Sequence, residues 1–96
     1  MTRRYFVTYD IADPKRLRMV FRIMKGAGEH VQLSVFRCDL SDRQVEELIT
    51  DLQGVIQPRD DQVLVIDLGP TKGVSAHQVR ALGRAYDPRD PSAVIA

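Results

Sequence analysis

The residue with the clearest chemical potential in this sequence is Asp10. It closes the apolar run RYFVTYD (4–10), whose aromatic and β-branched residues predict a β-strand. Open α/β sheets bind ligands beyond the carboxyl ends of their strands, which is where Asp10 stands. A lone carboxylate in that place is equally typical of a turn. If a two-fold axis brought two copies of Asp10 together, the pair would suffice for Mg²⁺, which takes one or two carboxylates plus water and phosphate oxygens.

A metal ion held in this way would favour phosphodiester chemistry, because it polarises the phosphate and supplies an activated water without a Ser-His-Asp arrangement. The other candidate groups have simpler interpretations. Asp13 suits a helix cap, and Asp67 ends a later strand without a visible partner. His30 and His77 show no metal-ligand spacing, and His30 is interpreted as a polar residue at the start of a strand. Cys38 has no activating His nearby and is interpreted as a half-buried small residue.

The element that follows Asp10 is predicted to be a helix. Asp13 and Pro14 form a typical helix start, and the segment Gly26–Gly28 ends it. One buried face is indicated by the helical spacing of Leu17, Val20, Phe21 and Met24. Residues 30–38 are extended, and their periodicity fits either one bent strand or a tight pair broken near Gln32–Ser34.

A second helix and a further strand complete the predicted elements. Ser41 and Gln44 form a capping box, and Gly54 ends the helix behind it. The apolar face of that helix comprises Val45, Leu48, Ile49 and Leu52. The run QVLVIDL (62–68) predicts a strand. Beyond it, residues 79–86 fit a short strand or a helical turn, and residues 92–96 fit a final edge strand.

The order of these elements predicts a sheet layered against two helices. Two helices can cover only one face of such a sheet, yet the strands are apolar on both faces: in 62–68, Val63 and Val65 alternate with Leu64 and Ile66. The chain has no further helix long enough to cover the second face. We therefore expect a second copy to stack sheet on sheet in a two-fold homodimer.

Length and composition limit the class of protein. Ninety-six residues predict one domain spanning 1–96, with 70–96 a C-terminal extension that contributes edge strands at the dimer interface. The formal net charge of +1 is typical of neither a polybasic tail nor an acidic disordered segment. With one cysteine, no apolar leader and no membrane-spanning run, the expected location is the cytoplasm.

Charge is distributed unevenly along the chain. Residues 1–38 carry a net +5, residues 39–68 a net −6 and residues 69–96 a net +2, and arginines outnumber lysines by 11 to 3. A solvated charged face explains this as well as a surface for a polyanion, for which Arg is the better cation because it binds phosphate with two N–H groups. Phe36, beside Arg37, is interpreted as a core residue or as one that packs against a nucleobase.

Several of these segments together resemble one family. YFVTYDI followed by DPKRLR resembles the first strand and loop of the CRISPR-associated adaptation endonucleases, the Cas-two family. HVQLSVFRCDL is similar to that family's second signature, SDRQVEELITDLQ to its second helix and DQVLVIDLG to its next strand. The resemblance covers residues 4 to 69 and extends more loosely to VRALG and SAVIA.

The resemblance implies an α+β, ferredoxin-like βαββαβ two-layer sandwich and a homodimer with stacked sheets. It implies that Asp10 is catalytic and binds a metal shared by the two subunits, magnesium or alternatively manganese. Arg16 and Arg18 match the family's nucleic-acid-binding cluster, and Ser34 and Phe36 fall on the signature near the same site. These implications rest on the family and not on spacing.

The function implied is a magnesium-dependent endoribonuclease, acting alternatively on double-stranded DNA, that takes part in spacer acquisition and antiviral defence. The alternative is a non-catalytic dimeric adaptor that carries DNA between CRISPR integrase subunits. A third interpretation is an unrelated ferredoxin-like dimer that binds a small molecule or a protein. The chain departs from the family at His30, where Arg or Lys is usual; an imidazole would weaken phosphate contact and make it pH-dependent.

Overall fold

The strands and helices follow one another in the order βαββαβ. The computed structural model describes residues 1–72 and 82–84. Its elements are β1 (Arg3–Asp10), α1 (Pro14–Ala27), β2 (Glu29–Gln32), β3 (Val35–Leu40), α2 (Asp42–Gln53) and β4 (Gln62–Pro70). The predictions for 79–86 and 92–96 lie outside the described residues, apart from 82–84, which are exposed and belong to neither a helix nor a strand.

The four strands form one antiparallel sheet in the order β2-β3-β1-β4. β1 is central, so that Phe6 lies opposite Arg37 of β3 on one side and Ile66 of β4 on the other. Both helices pack on one face of this sheet. The α+β, ferredoxin-like βαββαβ sandwich expected from the sequence is therefore confirmed.

Residues 30–38 form a tight pair of strands, which is one of the two arrangements that their periodicity allows. β2 and β3 join through Leu33 and Ser34, and Leu33 has a φ of 41°, a left-handed conformation uncommon for a leucine. The His30 side chain holds this turn from inside, because its Nε2 donates to the Leu33 carbonyl oxygen. The Tyr9 N–H donates to the Ser34 carbonyl oxygen at 3.1 Å, which attaches the turn to β1.

Both helices begin at the residues that the sequence predicts. The Asp13 carboxylate caps α1 by accepting from the Arg16 N–H at 2.9 Å. At the start of α2, the Gln44 N–H donates to Ser41 Oγ at 3.2 Å and the Ser41 N–H donates to Gln44 Oε1 at 2.9 Å. The capping box is therefore confirmed in both directions.

The core lies between the sheet and the helices. The fully buried side chains from three elements are Val7, Val20, Met24, Phe36 and Cys38. Burial raises the pKa of the Cys38 thiol to about 11, so the sulfur packs as a neutral group, and it is more deeply buried than the half-buried position expected from sequence. Leu17, Phe21 and Ile49 of the predicted helix faces pack against this core.

The opposite face of the sheet is apolar and uncovered by any part of the chain that the structure describes. Alternation along β1 and β4 brings Phe6, Leu64 and Ile66 to this face, where Leu64 is 47% exposed and Ile66 43%. We call these three residues the open-face strip. The sequence-based expectation of an uncovered apolar face is confirmed.

No helix within 1–72 or 82–84 has the length and hydropathy to cross a membrane.

Close packing of α1 against β3 requires a glycine at position 28. A Cβ built on Gly28 would overlap the Arg37 carbonyl oxygen and lie 2.6 Å from Cys38 Sγ, whereas one built on Gly26 meets no heavy atom within 4 Å. The two glycines are two residues apart at the end of α1, so they form a matched pair for substitution.

We expect Gly28→Ala to lower stability by about 1–3 kcal/mol, because overlap in a packed core forces the backbone apart. For a domain of this size that loss lowers Tm by about 4–8 °C per kcal/mol in thermal unfolding followed by circular dichroism. Gly26→Ala is the control and should raise stability by about 0.5–1 kcal/mol, since it replaces a helical glycine. Equal melting of Gly28→Ala and the wild type would show that α1 does not approach β3 this closely.

Candidate active site

Asp10 is the exposed last residue of β1. Strand alternation places it on the same face as Phe6 and the open-face strip, opposite Gln62 of β4. No side chain or backbone group among the described residues forms a hydrogen bond or ion pair with its carboxylate. The carboxylate is therefore available to a ligand from outside the chain.

A single chain offers an incomplete set of metal ligands at this position. Within the described part of the chain, no group of three or more His, Cys, Asp or Glu residues could hold a metal ion. One accessible carboxylate is a hard oxygen donor of the kind that Mg²⁺ prefers, and this ion keeps several waters and binds substrate phosphates besides one or two carboxylates. Asp10 fits a magnesium site that a second subunit, water and phosphate would complete.

The other aspartates near strand ends are engaged elsewhere. Asp13 is the cap of α1. Asp67 accepts from Arg3 Nε at 3.0 and 3.1 Å and from the Gly69 N–H at 2.8 Å. The expectation that Asp67 lacks a partner is therefore wrong, because antiparallel pairing brings Arg3 at the start of β1 beside the end of β4. Its ion pair lies at the opposite end of β1 from Asp10.

Asp61 is the site-proximal residue that sequence analysis missed. Its side chain has no solvent exposure and accepts four hydrogen bonds, two of them from the Arg16 guanidinium at 2.8 and 3.1 Å. The Ala12 and Gln57 N–H groups donate the others at 2.9 and 2.8 Å. The Arg16 guanidinium, followed by the two backbone N–H groups, lowers the pKa of Asp61 far below its usual range. Asp61 is a fully engaged carboxylate and not a free metal ligand.

Arg16 forms an ion pair within the chain. Its guanidinium donates to both Asp61 oxygens through Nε and Nη2, and Nη1 lies outside this pair. The Arg16 side chain is 27% exposed, and its assignment to nucleic-acid binding stays a prediction beside this structural ion pair. Helical periodicity gives Arg16 and Arg18 different surroundings: Arg16 faces the loop before β4, while Arg18, two residues later, faces solvent.

Arg18 is exposed and forms no ion pair with the described residues. Lys15, Arg22 and Lys25 are exposed as well, and their spacing of three and four residues aligns them with Arg18 on one side of α1. We call these four residues the basic stripe. It has the charge and accessibility that phosphate binding requires.

The two predicted site residues of the second signature, Ser34 and Phe36, lie in different environments. Ser34 is half-buried in the turn whose backbone pairs with Tyr9, the residue before Asp10, so it lies near the end of β1. Phe36 is fully buried, with its ring centroid 4.8 Å from that of His30 and 5.6 Å from that of Phe21. A nucleobase cannot reach this ring, so the assignment of Phe36 to nucleic-acid binding is corrected.

His30 is likewise a core residue. It is 4% exposed and shares the helix-facing side of the hairpin with Phe36, its partner across β2 and β3. The expectation that a basic residue here contacts phosphate, and that the imidazole weakens that contact, does not apply to this buried position. The ring instead positions the turn at Leu33 through the carbonyl oxygen that accepts its Nε2 hydrogen bond.

Tyr9 lies next to Asp10 but faces the core. It is buried, and its hydroxyl has no hydrogen-bond partner among the residues that the structure describes. Burial raises the pKa of Tyr9 to about 12, so the phenol stays protonated at neutral pH. Tyr9 therefore contributes packing beneath the site and is not a base.

Curated proteins with related sequences are named as CRISPR-associated Cas2 endoribonucleases or endonucleases. The chain is 45% identical over 91 residues to CRISPR-associated endoribonuclease Cas2 1 of Rhodospirillum rubrum, covering 95% of this chain and 88% of that protein. It is 36% identical over 95 residues to CRISPR-associated endoribonuclease Cas2 of Geobacter sulfurreducens, covering 99% of both. These matches include the segments that contain Asp10, the hairpin and β4.

Fold and family comparisons agree with the sequence matches. The crystal structure of Streptococcus pyogenes Cas2 superposes with a TM-score of 0.71 at 29% identity, covering 83% of this chain and 99% of that chain. The family model described as CRISPR associated protein Cas2 matches residues 2–73, which include every described strand and helix. The chain therefore belongs to the Cas2 family of CRISPR-associated proteins.

Proposed function

We propose that this chain is a metal-dependent phosphodiesterase that takes part in CRISPR spacer acquisition and antiviral defence. The proposed activity is that of an endoribonuclease, and double-stranded DNA is the alternative substrate. In this proposal Asp10 from each of two subunits holds one Mg²⁺ ion. The observation that carries it is the exposed Asp10 carboxylate, which has no partner within 1–72 or 82–84 and lies on the same sheet face as the open-face strip. The names of the two relatives, both endoribonucleases, support the same activity.

The open-face strip supports a homodimer with stacked sheets. Phe6, Leu64 and Ile66 lie beside one another across β1 and β4, and covering such a face with a second sheet is the arrangement of packed sandwiches. A two-fold axis near the end of β1 would bring the two Asp10 carboxylates together. We further propose that 1–96 is a single domain whose residues 70–96 add edge strands at this interface.

The chemistry divides between the metal and the residues of this chain. Bound Mg²⁺ would polarise the phosphodiester and lower the pKa of an attacking water, and Mn²⁺, which accepts similar oxygen ligands, is the alternative. Asp10 supplies the negative oxygen ligand. Ser34, in the turn paired with the end of β1, is the polar residue we assign to the nucleic acid beside it. Arg18, with the rest of the basic stripe, binds the phosphates.

A non-catalytic adaptor is the second candidate function, and the basic stripe is the observation that favours it. The stripe lies on α1, outside the sheet, and its exposed charges do not depend on Asp10. A dimer with two such stripes could carry duplex DNA between CRISPR integrase subunits without cutting it. Cleavage by the wild type, and its dependence on Asp10, distinguishes the two functions.

We expect Asp10→Asn to abolish cleavage of labelled single-stranded RNA or duplex DNA while binding is retained, because the amide removes the anionic metal ligand but keeps the side-chain shape. The assay compares wild type and variant in magnesium and in EDTA. Asp51→Asn, at an exposed aspartate of α2, is the matched control and should cut like the wild type. Retained cleavage by Asp10→Asn would overturn the shared-metal site, and duplex binding without any wild-type cleavage would favour the adaptor.

We expect Ile66→Glu to dissociate the homodimer, because stacking would bury the introduced charge on the open-face strip without a partner. Sedimentation velocity should show the wild type as a dimer and the variant as a monomer at the same concentration. Met19→Glu is the matched control, since Met19 is also 43% exposed but lies on α1. A dimeric Ile66→Glu protein would exclude this face as the interface.

We expect Arg18→Ala to weaken duplex binding and to reduce the slope of log K against log salt by about 0.9, the value for one lost phosphate contact on B-DNA. Fluorescence anisotropy across a salt titration measures this slope. Arg43→Ala is the control, because Arg43 is an exposed arginine of α2 already paired with Glu47 at 3.0 Å. An unchanged slope for Arg18→Ala would remove Arg18 from the nucleic-acid surface.

A further inference from the structure

Asp61 connects three segments of the chain that meet beside the candidate active site. Its two oxygens bind Ala12 in the loop after β1, Arg16 in the first turn of α1 and Gln57 in the loop before β4. Ala12 lies 49 residues from Asp61 in sequence. The Asp61 carboxylate joins these segments through side-chain hydrogen bonds, next to the β1–β4 pairing that ends at Asp10 and Gln62.

The position of this carboxylate relates it directly to Asp10. Ala12, whose N–H Asp61 accepts at 2.9 Å, is two residues after Asp10. Gln62, the residue after Asp61, is the β4 partner of Asp10 in the sheet register. Asp61 therefore holds the backbone on both sides of the strand end from which the Asp10 carboxylate projects.

Stability alone is a poor explanation for this partly buried ion pair, in which the Asp61 side chain is buried and the Arg16 side chain is 27% exposed. Removing two charges from water costs about as much as their attraction returns, and apolar residues of similar volume often serve a fold equally well. The Asp61–Arg16 pair fixes the orientation of the surrounding backbone, because the guanidinium and the two backbone N–H groups each bond the carboxylate at a defined angle. A metal ligand needs such a fixed orientation, since substituting the outer groups that orient metal ligands typically lowers metal affinity about 10–100-fold.

We propose that Asp61 is a positioning residue for the Asp10 metal site, and that its bonds to Ala12 and Arg16 fix the backbone that carries the Asp10 carboxylate. This inference rests on the proposed function, in which Asp10 binds the metal. Asp61 does not touch the cation, because the N–H groups of this chain occupy both of its oxygens. Arg16 acts with it as the counterion that completes the arrangement.

The test measures Mn²⁺ binding to the full-length dimer by electron paramagnetic resonance, which reports metal affinity without requiring catalysis. Asp61→Asn keeps the shape of the side chain but loses the charge, and its amide nitrogen cannot accept a hydrogen bond. We expect this variant to bind Mn²⁺ about tenfold more weakly, at the lower end of the effect of outer-shell substitutions. Asp60→Asn, at the exposed neighbouring aspartate, is the matched control and should bind like the wild type.

A second readout separates positioning from a general loss of structure. Raising the Mn²⁺ concentration should restore cleavage by Asp61→Asn toward the wild-type kcat, because the site is misplaced and not removed. Amide hydrogen exchange of Ala12, followed by nuclear magnetic resonance, should be faster than in the wild type. If Asp61→Asn does not fold, Arg16→Lys decides the question, since it keeps the charge but loses the fork, and should weaken Mn²⁺ binding at nearly unchanged Tm.

The outcomes distinguish this inference from the function on which it rests. Mn²⁺ binding by Asp10→Asn at wild-type affinity would overturn the proposed metal site itself. Loss of binding in Asp10→Asn, together with equal affinities for Asp61→Asn and Asp60→Asn, would overturn the positioning role and leave the metal site intact. Wild-type Mn²⁺ affinity in Arg16→Lys, with accelerated exchange at Ala12, would likewise overturn it.

Discussion

The rest of the molecule depends on the register of β1, because this strand lies between β3 and β4 and its two faces meet different surroundings. Tyr5, Val7 and Tyr9 pack beneath the helices, while Phe6 faces the side that no described helix covers. Side chains alternate with a period of two, so a shift of one residue would exchange these two sets. Because Asp10 ends the same strand, the packing that fixes the register also determines the face on which its carboxylate is presented.

Helical periodicity divides the positive charge of α1 between two tasks. Arg16 faces inward and neutralises a buried carboxylate, whereas Arg18 and the rest of the basic stripe face solvent. α2, packed beside α1, carries four acidic residues and one arginine. The helical layer therefore presents a basic half and an acidic half, and a polyanion would approach it from the α1 side. The small net charge of the chain conceals this arrangement completely.

The helix starts and the uncovered sheet face could be predicted because they depend on short-range patterns. A cap such as Asp13 acts over three residues, and strand alternation is visible within a single segment. The partner of Arg16 could not be predicted, because Asp61 lies 45 residues away and no local spacing marks the pair. Phe36 was misassigned because its facing depends on the hairpin register, which the periodicity of residues 30–38 left undecided.

The bond between Asp61 and the Ala12 N–H has a consequence for the timing of protein synthesis. The strand that carries Asp10 leaves the ribosome early, but its β4 neighbour and the carboxylate that fixes its loop are made more than fifty residues later. Such non-local contacts form only after the entropy of closing a long loop has been overcome. A nascent chain without β4 therefore has Asp10 but lacks the strand pairing that fixes its position, and this part of the molecule becomes ordered only when the sheet is complete.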